Sequence, residues 1–320
     1  MSAAAPALGP LPWLDGPALR AALPILAAVD ALEEAFAGGR SFAPPRGHHD
    51  VPGGVLLVMP AAGPTGTGVK LVTIAPDNPA RGLPLISGVY VLFEPDGLRP
   101  AGLVEGAALT ALRTAAVSAV AARHLARPDS AHLVVFGAGT QARSHVDAFR
   151  ALFPLERLTV VSRGRERATA LVEQAERWGL DARLGEPSDI AAADLVATCT
   201  TSPQPVLDGA LLAEGTHVTA VGAYTAAMRE LDGQAIRRAR LVVEDRAVAL
   251  AEAGEVCLAI DEGLIGPDHV VADLPELVRG AVVRRSDADI TVFKSVGMAV
   301  EDLAVVTAAV ERWRSGQVGG

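Results

Sequence analysis

The sequence predicts an α/β protein of two domains: a doubly wound parallel sheet, and an α+β domain built from both chain ends. Three observations predict it. From Ala131 onward, apolar strand-like runs alternate with helix-period stripes. One of those runs, Leu133–Phe136, stops at a Gly-x-Gly-x-x-Ala turn, Gly137 to Ala142, and a helical pattern follows at once. The first hundred residues instead carry short β segments punctuated by glycine and proline.

In chain order, Leu14 to Phe36 reads as helices, with Leu23, Leu26, Val29, Leu32 and Phe36 at helical spacing. Gly54–Met59, Val69–Ile74 and Ser87–Phe93 read as neighbouring strands of a mostly antiparallel sheet. Thr110 is placed to cap a long alanine-rich helix running through Ala126, a bridge between the domains. Strands are expected at Leu133–Phe136, Leu158–Ser162, Asp194–Thr198, His217–Val221 and Leu241–Glu244. Between them lie stripes such as Ala142, Val146, Phe149 and Phe153. The run Asp289–Gly297 and a closing helix, Met298–Trp313, are expected to return toward the first domain, with a frayed end from Ser315 to Gly320. The expected division is 1–115, completed by 298–320, against 116–297.

The 320 residues suffice for two cores, and half of them are hydrophobic. A net charge of −9 argues against nucleic acid or an anionic membrane as partner, while leaving room for a local basic pocket. Two cysteines, Cys199 and Cys257, make neither a disulfide framework nor a metal cluster, and Cys199 sits in an apolar run that reads as packing. The start of the chain lacks a basic segment followed by an apolar core, and no run reaches membrane-spanning length, so a cytoplasmic protein is expected. His48-His49-Asp50 does not make a metal site: adjacent imidazoles in an extended chain point apart, and no third ligand is spaced to join them. A polar loop is the simpler account. His145 reads as a surface or satisfied interior residue. No Gly-x-Ser-x-Gly elbow supports hydrolase chemistry.

The glycine turn carries the chemistry. A dinucleotide pyrophosphate needs a turn free of side chains and an open helix N-terminus. Gly137 permits the tight turn, Gly139 lets the backbone approach phosphate, and Ala142 is small enough for helix and strand to press together. Ala138, Thr140 and Gln141 complete this Rossmann-type cradle. The next strand ends Ser162-Arg163-Gly164-Arg165, with no acidic residue before Glu166 to bind ribose hydroxyls. Arg163 and Arg165, with Ser162, suit a 2′-phosphate, so NADP(H) is expected in preference to NAD(H); the competing reading is a solvated loop. The hydroxyls of Thr200, Thr201 and Ser202 suit a ligand crevice and equally an ordinary turn.

Several segments together resemble the ornithine cyclodeaminase/μ-crystallin family. They are Met59-Pro60-Ala61, Gly68-Val69-Lys70, Arg113-Thr114-Ala115-Ala116, Gly137–Ala142, Gly254-Glu255, and Phe293-Lys294-Ser295-Val296-Gly297 with Glu301-Asp302. The match runs in order along nearly the whole chain. The resemblance implies a dinucleotide-binding domain and a second domain that dimerises and holds an amino-acid-like or imino-acid substrate. It implies that Arg46, Lys70 and Arg113 grip the substrate carboxylate; His48, two residues from Arg46, is a further candidate to touch the substrate. It also implies that Thr114, Val221, Gly222, Ser295, Val296 and Gly297 serve the coenzyme. The residues allow a second account: the three cations pair with internal carboxylates, such as Glu94 or Glu105, and only stabilise the fold.

One position departs from the cyclodeaminase pattern. Where those enzymes carry an aspartate, two places after the glycine closing the fifth strand, this chain has Tyr224. A neutral phenol is no substitute for a carboxylate base. The departure resembles the imine-reducing branch of the family, the Δ1-pyrroline-2-carboxylate reductases. The expected activity is NADPH-dependent reduction of cyclic ketimine carboxylates by a homodimer, with Lys70, Arg113 and Tyr224 as its catalytic side chains. An alanine-type dehydrogenase, an ornithine cyclodeaminase and a non-catalytic binder of NADPH and small acids are the alternatives.

Overall fold

The structure is a computed structural model describing residues 11–38 and 42–316. The chain start, where a leader is not expected, and the end of the expected frayed tail, 317–320, lie outside the described residues. The fold is the expected mixed α/β class, and it separates into two compact units. Residues 11–31, 42–113 and 298–316 form one; 32–38 and 114–297 form the other.

Among the described residues of the first unit, six strands make one sheet. They are β1 (Trp13–Leu14), β2 (Gly47–Val51), β3 (Gly54–Gly63), β4 (Gly66–Ile74), β5 (Ile86–Phe93) and β6 (Pro100–Glu105), in the order β1-β6-β5-β4-β3-β2. Neighbours from β2 to β6 pair antiparallel, as expected, and β1 adds a parallel edge. The His48-His49-Asp50 segment is not a loop. It forms β2, where His48 faces Leu57 and His49 faces Leu56 in register across to β3. Its side chains are exposed, which is how a polar run is accommodated on a sheet edge. Helix α1 (Gly16–Ala22) starts at Asp15, whose carboxylate accepts from the Ala18 N–H at 2.9 Å. Helix α2 (Ile25–Ala37) follows it.

Helix α3 (Gly106–Leu125) begins a full turn before the expected cap, so Thr110 lies inside it. Gly106 opens the helix because a side chain there would collide with the Gly88 backbone, 2.6 Å from its carbonyl carbon. From Ala111 to Ala122 nearly every residue is buried, which explains the small side chains on all its faces.

The second unit is wound around an eight-stranded parallel sheet among the described residues. Its strands are β7 (His132–Phe136), β8 (Arg157–Val161), β9 (Asp181–Leu184), β10 (Leu195–Thr198), β11 (His217–Ala220), β12 (Arg240–Val243), β13 (Val270–Asp273) and β14 (Thr291–Lys294). Their order is β13-β12-β14-β11-β10-β7-β8-β9. After β7 the chain winds outward through β8 and β9, then returns to β10 on β7's other side. The topological switch therefore falls at the carboxyl ends of β7 and β10, where α/β sheets bind ligands. Helix α4 (Thr140–Leu152) follows β7, and α5 (Arg165–Arg177) follows β8. The short helices α6 (Gly233–Arg238), α7 (Arg246–Glu252), α8 (Gly254–Asp261) and α9 (Leu274–Val278) lie between β11 and β14 in the chain. Helix α10 (Ala299–Arg314) belongs to the first unit and packs on β3, β4 and β5. No helix among the described residues is long and apolar enough to cross a membrane.

His145 is a satisfied interior residue. It is fully buried, with Nδ1 2.8 Å from the Gln141 carbonyl and Nε2 2.9 Å from the Ser118 hydroxyl. Burial pushes it down to about 4, and burial likewise pushes His217 down to about 3. An unfolded histidine binds a proton below about 6.5, whereas these folded ones stay neutral well below that. The unfolded state therefore binds more protons in this window, and stability falls as pH drops from about 6.5 toward 4. Urea unfolding should show that loss, and H145Q, though less stable at pH 7, should show a shallower slope. An unchanged slope would contradict the assignment.

Candidate active site

The dinucleotide cradle lies in the second unit, at the switch of the sheet. Gly137 has φ +100°, and a side chain there would meet the Cys199 carbonyl oxygen at 2.6 Å, so only glycine turns the chain here. Gly139 is different. As N-cap of α4 its backbone is extended, and an added Cβ would meet nothing within 4 Å. The space beside it is open, directly before a helix whose first-turn N–H groups lack intrahelical acceptors. Ala142 is fully buried and Ala138 nearly so, while Thr140 and Gln141 form the opening turn. The Thr114 hydroxyl, also in this unit, is buried without a partner among the described residues. Open space over a glycine at a helix N-terminus fits a dinucleotide pyrophosphate.

Buried carboxylates shape the strand ends around the cradle, and the sequence alone did not reveal them. Glu230 is fully buried and accepts four hydrogen bonds: from Thr198 Oγ1 at 2.9 Å, Thr200 N at 2.6 Å, Thr200 Oγ1 at 2.7 Å and Gly222 N at 2.7 Å. It thereby ties the loop after β10 to the loop after β11. Burial raises its pKa, and Lys294 and the Thr200 donors oppose that rise. Glu255 accepts from the Glu230 N–H at 2.8 Å and pairs with Lys294 at 2.8 Å; Lys294 also donates to the Ala223 carbonyl at 2.6 Å. Glu244 accepts from Ser295 Oγ at 2.5 Å and from the Val296 and Gly297 N–H groups at 2.9 Å. The expected coenzyme residues Thr200, Gly222, Ser295, Val296 and Gly297 are thus held in place by internal acceptors. Ser202 donates to the Gln204 carbonyl, Thr201 is exposed, and Val221 is half-buried.

At the carboxyl end of β8 lies a cavity of about 470 Å³ whose lining includes Ser162, Arg163, Arg165, Arg183, Glu186 and Asp189. Arg163 and Arg165 are exposed. Arg183, on β9, was not anticipated; its guanidinium grips Asp189 at 2.7 and 3.2 Å.

The cation cluster lies in the first unit. Lys70 on β4 and Arg113 on α3 are 2% and 7% exposed. Both turn to α10: Lys70 Nζ lies 2.9 and 2.7 Å from the two Asp302 oxygens, and Arg113 lies 2.9 Å from Glu301 and 3.4 Å from Asp302. The internal partners are therefore Glu301 and Asp302. Glu94 instead binds Arg99, and Glu105 accepts from the Gly16 N–H. Desolvation lowers the Lys70 pKa, and the Asp302 charge only partly offsets it. Arg46 is half-buried just ahead of β2, and His48 is on β2 itself; β3 stands between that strand and β4. Tyr224, in the second unit on the loop after β11, is 43% exposed, so core packing does not explain it. Among the described residues no cluster of three histidine, cysteine or acidic side chains is placed to hold a metal ion.

A doubly wound parallel sheet with a side-chain-free turn at its switch point defines the Rossmann class of dinucleotide-binding proteins. Within that class, the chain belongs to the ornithine cyclodeaminase/mu-crystallin family, whose model matches residues 19–317. A Δ1-pyrroline-2-carboxylate reductase from Paracoccus denitrificans is 42% identical over 248 residues, 76% of this chain and 78% of that protein. The structure of Thermococcus litoralis Δ1-pyrroline-2-carboxylate reductase in complex with NADH and L-proline matches with a TM-score of 0.91 at 31% identity, covering 97% of this chain and 99% of that one. An archaeal alanine dehydrogenase dimer with bound NAD matches with a TM-score of 0.90 at 31% identity, covering 97% and 98%.

The two glycines of the turn should fail differently. G139A has room for its methyl and a permitted backbone, so it should fold normally yet bind reduced dinucleotide at least about tenfold more weakly, since the methyl projects where phosphate must approach. G137A should lose thermal stability outright. Fluorescence titration and thermal melts distinguish them; undiminished binding by G139A would contradict the cradle.

Proposed function

We propose that the protein reduces cyclic ketimine carboxylates, Δ1-pyrroline-2-carboxylate to L-proline and Δ1-piperideine-2-carboxylate to L-pipecolate, using NADPH in preference to NADH. The observation that carries the reading is the buried pair Lys70 and Arg113, anchored by Glu301 and Asp302. A carboxylate is the ligand such a pair suits, because burial strengthens charge-assisted hydrogen bonds. Lys70 has three N–H donors, and the two Asp302 oxygens occupy at most two, so a substrate oxygen can take another. The similarity to two Δ1-pyrroline-2-carboxylate reductases supports this substrate class.

The chemistry a bound coenzyme supplies is hydride donation to the imine carbon. The protein's residues do the rest. Lys70 and Arg113 hold the carboxylate and so fix which carbon is presented. The ring nitrogen enters protonated, receives the C=N electron pair, and the resulting amine takes a further proton from water. No strong protein acid is required, which agrees with a phenol, Tyr224, standing where a cyclodeaminase has its aspartate. We assign Tyr224 to the apolar edge of the ring, Arg46 and His48 to the outer part of the carboxylate site, and Thr114 with Gly137–Ala142 to the pyrophosphate. Arg163, Arg165 and Ser162 are assigned to the 2′-phosphate; their place on a cavity at the end of β8 supports this. The proposed assembly is a cytoplasmic homodimer.

A second reading, an alanine-type dehydrogenase, is favoured by the archaeal likeness. Following reduced-nicotinamide absorbance with Δ1-pyrroline-2-carboxylate, Δ1-piperideine-2-carboxylate, pyruvate plus ammonia, and ornithine separates these. Turnover of the cyclic imines is expected; turnover with pyruvate and ammonia alone would favour the dehydrogenase, and ammonia release from ornithine would contradict the role given to Tyr224.

Two further outcomes follow. Because burial lowers the Lys70 pKa, the ammonium that holds the carboxylate is lost at a pH below the ordinary lysine value, so kcat/KM should fall on the alkaline side. In K70R that fall should move to higher pH, since arginine stays protonated; an unmoved limb would exclude Lys70. Replacing Arg163 and Arg165 together by alanine should weaken NADPH at least about tenfold more than NADH. Equal losses would remove the 2′-phosphate assignment.

A further inference from the structure

The Tyr90 hydroxyl, in the strand next to that of Lys70, has no role in the chemistry assigned so far. Tyr90 on β5 stands opposite Lys70 in the β4–β5 register and is fully buried. Cross-strand partners in an antiparallel pair project to the same face, with Cβ atoms about 5 Å apart. Gly68, two residues before Lys70, lies on that face and makes room for the ring. A Cβ at position 68 would fall 2.1 Å from the Tyr90 hydroxyl oxygen. Helix α10, which carries Asp302, packs on both β4 and β5. Burial first, and the Asp302 charge second, hold the phenol in its protonated form, so it is a donor.

Among the described residues this donor has no acceptor. An unpartnered buried hydroxyl is destabilising, and phenylalanine would fill the same space without that cost. The hydroxyl is no more secluded than the groups it accompanies, because Lys70 and Arg113 are themselves almost wholly shielded. A carboxylate that reaches those cations enters the same buried region. Its charge also has to be accommodated where Lys70 and Arg113 are already matched by Glu301 and Asp302. A neutral O–H donor adds a hydrogen bond there without adding charge.

We propose that the Tyr90 hydroxyl is a further substrate-contacting group, donating to an oxygen of the imino-acid carboxylate held by Lys70 and Arg113. Gly68 is then the residue that sets the ring's position. The inference rests on the reductase reading, and its test separates the two.

The test is Y90F in the full chain. KM for Δ1-pyrroline-2-carboxylate should rise about tenfold, the loss of one hydrogen bond to a charged group. Coenzyme affinity should not change, kcat should stay within about twofold, and the melting temperature should be equal or higher. An unchanged KM, with or without a change in melting temperature, would overturn the inference. A second readout needs no turnover. The chain has two tyrosines, Tyr90 and Tyr224, so in Y224F the phenol absorbance reports Tyr90 alone. Saturation with L-proline should shift that band, and proline that binds without shifting it would overturn the inference. Wild-type protein that reduces cyclic imines while Y90F matches it refutes the Tyr90 contact alone. Wild-type protein that binds coenzyme but neither reduces cyclic imines nor binds proline refutes the reductase reading, and the contact with it.

Discussion

Burying two cations in one small region is the constraint on which the first unit turns. Lys70 and Arg113 sit where water is almost excluded, and charges there require partners of opposite sign. Those partners come from α10, 232 residues beyond Lys70 and 188 beyond Arg113. The chain's last helix must therefore pack on strands from its first third, which is why this unit draws on both ends of the sequence. Leaving one such charge unpaired costs on the order of 3–5 kcal/mol. A fold that needed only stability would fill the region with apolar side chains of similar volume. Retaining four charged groups there is understandable if the cations must meet an anion.

The second unit solves a different problem: presenting backbone rather than side chains. Its turn between β7 and α4 leaves open space over Gly139, while the loops beyond β10, β11 and β14 are held by Glu230, Glu244 and Glu255. Hydroxyls and amides that looked available in the sequence, such as those of Thr200 and Ser295, are partly committed to these carboxylates. Their part is to set the shape of the crevice. A carboxylate that accepts four bonds from three residues, as Glu230 does, resists being replaced by any neutral side chain.

What could be read in the sequence was whatever depends on near neighbours. The glycine turn, the alternation of strand and helix from Ala131, and the central strands β3, β4 and β5 carry local signals. The edges did not. β2 was hidden by His48-His49-Asp50, because an exposed edge strand need not alternate; β1, β6, β9 and β13 are short or flanked by turn residues. Gly106 starts α3 for a tertiary reason, contact with Gly88, so capping chemistry pointed to Thr110 instead. The site residues divide in the same way. Lys70 and Arg113 stand out as cations in apolar surroundings, but the sequence offers Glu94 and Glu105 as their nearer carboxylates, and the pairing with Glu301 and Asp302 spans most of the chain. Glu230 and Tyr90 offered no local signal: each is defined by what surrounds it in three dimensions.

The claim at the centre is that the Lys70–Arg113 pair exists to receive an organic carboxylate. A crystal structure of the protein with coenzyme and L-proline tests it most directly. The account requires a proline carboxylate oxygen within hydrogen-bonding distance of Lys70 Nζ and another at the Arg113 guanidinium. Proline bound elsewhere, with both cations still engaged only by Glu301 and Asp302, would contradict it.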